Sequence, residues 1–310
     1  MRLWRAFFYK QMLLSLKDIQ EYGNLELLAQ QVVEGYMVGR HKSPFHGFSV
    51  EFAEHRLYNK GEDTRHIDWK VFARTDKLFV KRYEEETNLR CHILVDESSS
   101  MYFGEGEKIR FSLFSSAVLL YILRKQRDAA GLSFFSDKLN QHIAAKSSAV
   151  HIRYLYGLLE GKLNNISKHK MTSLSETIHQ IADKIPRRSM VVLFSDMFDN
   201  NEKQESVLSA LKHLRHNKHE VVVFHVLDTK KELNFEFENR PYLFEDMETG
   251  EKIKLHPSQV KELYQKQMKE FLNEMKLKCG QYNIEFVPVD VQAPFAEVLL
   301  PFFVKRKKMP

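Results

Sequence analysis

A run of apolar, partly β-branched residues that stops on an acid and a cluster of hydroxyls constrains this chain more than any other feature. Within Cys91 to Met101, CHILVDESSSM, Ile93 to Val95 has the pattern of a buried strand, and Asp96 to Ser100 reads as a polar loop at the end of a sheet. A second run, Met190 to Asp196 (MVVLFSD), ends in the same way far downstream. Neighbouring parallel strands whose C-terminal ends both carry acids converge at a crevice, which is where α/β sheets place ligands. The bland alternative for Asp96 alone is a cap on the next helix, a common use of an acid after a strand.

Asp96, Ser98 and Ser100 stand at alternate positions, so a loop that stays extended turns one carboxylate and two hydroxyls the same way. Hard cations such as Mg²⁺ take oxygen ligands at about 2.0–2.1 Å in near-octahedral geometry and usually keep several waters. Three such oxygens leave coordination places open. Glu97 is a further carboxylate beside them, and the sequence leaves open whether it faces that cage or solvent.

Around these two strands the chain alternates strand and helix. Glu107 to Arg127 reads as a helix, Ala129 to Phe135 as a strand, Asn140 to Ala144 as a short edge strand, and Val150 to Leu163 and Ser175 to Ile185 as helices. After Met190 to Ser195 come a helix through Leu211 and a β-branched strand, Val221 to Val226. This rhythm predicts a parallel sheet with helices on both faces. Residues 228–256 interrupt it with strand-like alternation and a turn at Glu248 to Gly250, a small β insertion. Pro257 opens a long helix, Ile284 to Val289 is a last strand, and a final helix starts at Pro294.

The N-terminal part has another texture. Residues 1–40 read as helical, with Leu25, Leu28, Ala29, Val32 and Val33 on one apolar stripe. From Phe45 to Tyr83 apolar and charged residues alternate as in short strands with a wet face. Within that span Gly61, Glu62, Asp63, Arg65, Asp68, Trp69 and Arg74 gather charge around an aromatic ring, the composition of a loop held by exposed salt bridges.

The 310 residues are 43% hydrophobic and 28% charged, enough to bury a large core. The longest apolar stretch, Ser112 to Leu123, is too short to cross a bilayer of about 30 Å, so no membrane span is expected. The N-terminus lacks the apolar core and small-residue cleavage site of a signal peptide. Two cysteines, Cys91 and Cys279, argue against a disulfide scaffold or a zinc site and point to a reducing cytoplasm. The net charge is +6, but basic residues are interleaved with acids except at Lys305 to Lys308. That distribution describes a solvated surface rather than a nucleic-acid groove, for which binding would fall steeply with salt.

Two blocks of sequence resemble a known family. YNKGEDTRHIDWKVFARTDKLFVKRYEEE, from Tyr58 to Glu86, and VDESSSM, which is similar to the Asp-x-Ser-x-Ser of a metal-ion-dependent adhesion site, resemble the bacterial von Willebrand factor A-like proteins grouped as domain of unknown function fifty-eight. The resemblance implies an α/β, von Willebrand factor A-like (Rossmann-like) fold at 88–307, with the insertion at 228–256, preceded by an N-terminal helical segment and β-rich extension at 1–87. It implies metal ligands at Asp96, Ser98 and Ser100, with Thr172 from a second loop and Asp196 from a third, holding Mg²⁺ or Mn²⁺. Lys170 and Met171 replace the glycines that commonly precede Thr172, and Met197 stands where many A domains carry Gly. The resemblance further implies a MoxR-type AAA+ ATPase as partner.

Two functions compete on these residues. A protein-binding module would use an open metal position to take an Asp or Glu from a target, with a chaperone-like role in its assembly or maturation. A metal-dependent hydrolase or phosphatase would need a general base beside the ion; His92 and Glu97 are the candidates, and His92 on an apolar strand reads as a core residue. The sequence has no nucleophile elbow or Walker loop. The binding module is therefore the expectation.

Overall fold

In a computed structural model the described residues are 24–39, 52–58, 68–83, 89–164, 173–198, 204–246 and 250–293. They fall into two compact units, one within Phe45–Asn88 and the other formed by the rest.

The larger unit is built on a six-stranded sheet. In chain order its elements are α1 (Leu25–Gly39), then β3 (Arg90–Asp96), α3 (Glu107–Gln126), β4 (Ala129–Phe135), β5 (Leu139–Lys146), α4 (Ala149–Asn164), α5 (Leu174–Lys184), β6 (Met190–Ser195), α6 (Gln204–His216), β7 (Glu220–Leu227), the hairpin β8 (Tyr242–Glu245) and β9 (Lys252–Leu255), α7 (Pro257–Gln281) and β10 (Glu285–Asp290). The smaller unit supplies β1 (Phe52–Leu57), α2 (Trp69–Thr75) and β2 (Phe79–Tyr83). The sheet order is β10-β7-β6-β3-β4-β5, parallel throughout except for the antiparallel edge strand β5.

Burial explains why these strands read as continuous apolar runs. Successive residues of a strand point to opposite faces, and every residue of β6 and all but the first of β3 and β7 are buried. Both faces of the sheet are therefore covered. On one face Leu94, Leu193, Val191, Val221 and Val223 meet α5, α6 and the end of α7. Leu174, Ile178, Ile181 and Ala182 form the buried stripe of α5, and Val207, Leu208, Leu211 and Leu214 that of α6, each at helical spacing. The helix α3 packs against β3, β4 and β7 and is itself overlaid by α1 and α4. It is buried nearly all round, as a helix between two layers must be.

Helix α1 belongs with this larger unit rather than with the extension after it, so the division expected at residue 87 falls differently. Leu25, Leu28, Ala29 and Val33 are buried, worth roughly 1.5–3 kcal/mol for each large side chain before entropy is counted. The Leu25 N–H donates to Glu160 Oε1 of α4 at 2.9 Å, the Tyr121 hydroxyl of α3 to Glu34 at 2.7 Å, and Arg124 pairs with Glu26.

In the smaller unit β1 and β2 pair antiparallel. The charged stretch expected as a loop contains a short helix instead. Asp68 caps α2 by accepting the Lys70 and Val71 N–H groups at 3.0 and 3.3 Å, and Asp76, in the left-handed region at φ 54, closes it. Gly61, Glu62, Asp63 and Arg65, the rest of that charged cluster, lie outside the described residues, as does the final helix expected from Pro294.

Candidate functional site

The chain runs from β3 outward to β4, then returns to lay β6 on the other side of β3. The gap between the C-terminal ends of β3 and β6 is thus the topological switch point of the sheet, the position at which such folds bind ligands. Asp96 ends β3, Ser195 ends β6 and Asp196 follows it directly.

The Ser195 hydroxyl donates to Asp96 Oδ2 at 2.7 Å, and the Ser98 N–H donates to Asp96 Oδ1 at 2.9 Å. The second bond folds the loop back on its own aspartate. Asp96 therefore does not cap α3, whose N-cap is Gly106. Nor does the loop stay extended, because residues Ser99–Tyr102 form one turn of 3₁₀ helix. That turn still brings two hydroxyls together: Ser98 Oγ and Ser100 Oγ lie 3.0 Å apart, and Ser98 makes no side-chain cap bond to the turn.

Asp96 and Asp196 are both fully buried. Burial, and after it the repulsion of Asp196, pushes the Asp96 carboxyl up to about 7, against the stabilising bonds from Ser195 and Ser98. Asp196 is differently placed. Its Oδ1 accepts the Phe198 N–H at 3.2 Å, and its Oδ2 takes the Lys108 ammonium at 2.7 Å. Lys108 also reaches Glu232 Oε1 at 2.5 Å, and Glu232 Oε2 accepts the Asp228 N–H at 2.7 Å. Burial disfavours charge on Lys108, yet Asp196 and Glu232 outweigh it and hold its pKa above the usual lysine value.

Local sequence explains how a lysine arrives here. Gly104 and Gly106 adopt positive φ, 67 and 75, the region glycine enters without a Cβ penalty. Their turn starts α3 at Glu107, so Lys108 falls in its first turn at the C-terminal edge of the sheet, beside the end of β6. Glu232 sits in a single π turn, Thr229–Leu233, capped by Asp228 directly after β7.

The donors around Asp96 suit a hard cation. Its two carboxylate oxygens take bonds from an amide and a hydroxyl, both neutral, and no cation pairs with it among the described residues; the ionised form is then costly, which is what raises its pKa, and a bound metal would offset that cost. Asp96, Ser98, Ser100 and Asp196 come together at the switch point, and Thr172 lies outside the described residues. Among the described residues no group of three or more His, Cys, Asp or Glu is arranged to hold a metal; a site here draws on two carboxylates and hydroxyls, an oxygen set that suits Mg²⁺ or Mn²⁺ rather than zinc.

Glu97, left open by the sequence, is engaged by Lys162 Nζ at 2.5 Å and by the Asn140 amide at 3.2 Å. His92 lies near the start of β3, about 13 Å along the strand from Asp96. It is buried, stacks on His142, and burial lowers its pKa to about 4.

The family profile described as "Protein of unknown function DUF58" matches residues 54–273. This chain belongs to the DUF58 family. Two of its relatives are "Uncharacterized protein Rv1480" of Mycobacterium tuberculosis and "Uncharacterized protein Mb1516" of Mycobacterium bovis. Each is 25% identical over 210 residues, covering 66% of this chain and 64% of the relative, so the match spans less than two thirds of their length. Among solved structures, BatB from Bacteroides thetaiotaomicron matches 69% of this chain and 98% of its own at 14% identity and TM-score 0.40. An aerotolerance-related membrane protein from Bacteroides fragilis matches 70% and 99% at 14% identity and TM-score 0.42. No helix among the described residues of this DUF58 protein is long and apolar enough to cross a membrane.

Sequence reasoning missed Lys108, Ser195 and Glu232. One signal for Lys108 was present: it lies in helical phase with Ser112, Ser115 and Ser116, all buried, so a charged residue stood on the inward face of α3. Met197, the departure from glycine, has φ 57 and is 5% exposed. Met197 thus holds a left-handed backbone that glycine favours, at a cost of about 1–2 kcal/mol, while its side chain is buried in the same core cluster as Met275 and Leu208.

Proposed function

We propose that this DUF58 chain carries a von Willebrand factor A-like metal-dependent protein-binding site, with Asp96, Ser98, Ser100, Thr172 and Asp196 around one Mg²⁺ or Mn²⁺. The observation that carries the reading is the buried Asp96, without a cation partner among the described residues, beside paired serine hydroxyls at the switch point of the sheet. A divalent ion held mostly by hydroxyls stays electrophilic and supplies an open position for a carboxylate from another protein. Asp96 orients the loop through the Ser98 amide, and Ser195 holds its far oxygen. The chain's own groups therefore preset the donors before any partner arrives.

The partner in this reading is a MoxR-type AAA+ ATPase, together with a cytoplasmic protein target offering an Asp or Glu, in chaperone-like assembly or maturation. Binding is favoured over hydrolysis by the placement of the two candidate bases: Glu97 is tied to Lys162 and Asn140, and His92 is remote. The test is a pull-down from the source organism with the intact chain as bait. An AAA+ ATPase retained in Mg²⁺ and lost with chelator, and lost with Asp96→Ala, is the expected result. Equal retention under all three conditions would remove the metal from the interaction.

A further inference from the structure

The metal reading makes no use of the best-buried cation among the described residues. Lys108 is 2% exposed and bonded at once to Asp196 and Glu232, which lie 88 and 124 residues away in sequence. A lone lysine almost never enters a core without partners, because an unpaired buried ammonium loses its hydration. Here its two partners differ in kind. Asp196 belongs to the proposed ligand set, whereas Glu232 lies in the turn after β7 and has no place in that set.

We propose that Lys108 is a resident cation that competes with the divalent metal for Asp196, and that Glu232 is the counter-charge that holds the ammonium when the metal takes that carboxylate. The inference rests on the metal reading. Two carboxylates, Asp196 and Glu232, hold the one ammonium, and Asp96 lies next to Asp196, so a divalent ion finds two acids here but the ammonium already sits on one of them. A positive charge at 2.7 Å from Asp196 Oδ2 repels a second cation at the same carboxylate and weakens its binding. Glu232 accepts the Asp228 N–H as well as the ammonium, so it is fixed at its post. Metal occupancy is thereby linked to the Thr229–Leu233 turn. Lys108 acts on metal binding only through Asp196, as a competitor for that carboxylate.

Calorimetric titration of Mn²⁺ and Mg²⁺ into the full chain and its Lys108→Met, Glu232→Gln and Lys108→Met/Glu232→Gln variants tests this, with Asp96→Ala as the blank. Competition predicts that Lys108→Met binds metal more tightly, on the order of tenfold or more, and that Glu232→Gln, which leaves the ammonium wholly to Asp196, binds more weakly. The double variant keeps the local charge balance, folds if the single one does not, and still binds more tightly than wild type. Weaker or unchanged binding by Lys108→Met and by the double variant would overturn the inference, since a lysine that merely orients Asp196 cannot strengthen binding by leaving. If wild type shows Asp96-dependent binding while the lysine variants match it, only the inference falls. If wild type and all variants are inert to metal, the underlying metal reading falls with it.

Discussion

Strand β3 buries an ionisable side chain near each end, His92 and Asp96, and the two are accommodated in opposite ways. His92 is stripped of its charge: burial first, and then the neighbouring His142, lower its pKa to about 4, and neither ring nitrogen has a hydrogen-bond partner among the described residues. The gap above Gly131 is so close that a Cβ there would meet His92 Nδ1 and the Ile143 carbonyl, both at 2.8 Å. This end of the strand is core that happens to contain an imidazole. At the other end both acids are given partners: Ser195 and Ser98 donate to Asp96, whose pKa burial still raises to about 7, and Phe198 and Lys108 donate to Asp196. A fold that merely needed a filled sheet has no reason to bring Asp196 and Glu232 around one lysine with Asp96 beside them, since well-packed apolar residues are often as stable as a buried ion cluster.

The contrast between the two ends breaks most sharply at Lys108. Removing one partner of a buried ion pair leaves its mate uncompensated, so Lys108→Met costs about 3–5 kcal/mol, read by urea unfolding at neutral pH without metal. The Lys108→Met/Glu232→Gln chain recovers part of that loss, and added Mn²⁺ recovers more. Equal stability of wild type and Lys108→Met would mean that the cluster is not charged in the native state.

The His92 end is sharpened by acid. A histidine whose folded pKa is depressed contributes stability that is complete above its unfolded pKa near 6.5 and is lost as pH falls toward about 4. The loss over that window is roughly 3 kcal/mol for His92, at about 1.4 kcal/mol per pH unit. His92→Gln makes the acid limb of the stability profile shallower by about one proton. The residual slope belongs to other groups, buried His225 among them, whose pKa is also lowered to about 4 by burial. An unchanged acid limb would show that His92 is not held neutral.

The smallest effect is expected beside the site. Glu97→Gln removes the ion pair with half-buried Lys162 but leaves an oxygen for Asn140, a loss of about 1 kcal/mol. Metal affinity stays within about twofold of wild type, because this carboxylate is directed at α4 and β5 rather than at the serine pair. A large loss of metal binding would place Glu97 among the ligands.

The sequence made the sheet legible because fully buried strands read as unbroken apolar runs. Ile93 to Val95, Met190 to Ser195 and Val221 to Val226 are bounded by polar residues, and their ends mark the edge where the acids lie. Asp96 and Asp196 were visible for the same reason. Lys108 was not, because a single lysine in a helix is ordinarily solvated and its partners come from two other loops. Glu232 was hidden in a stretch whose alternation suggested only a hairpin; β8 and β9 are there, but the turn before them is a π turn set by Asp228. In the smaller unit, closely spaced charges masked α2, although Asp68 before Trp69 was an available N-cap signal.

Whether Asp96 and its neighbours hold a divalent cation is tested most directly by titration of Mn²⁺ and Mg²⁺ into wild type, Asp96→Ala and Ser98→Ala, with circular dichroism to check that each is folded. The account predicts saturable binding by wild type, none by Asp96→Ala, and a weaker but measurable affinity for Ser98→Ala, since water can replace one neutral ligand in a hydrated Mg²⁺ shell. A folded Asp96→Ala protein that binds metal as wild type does would contradict it.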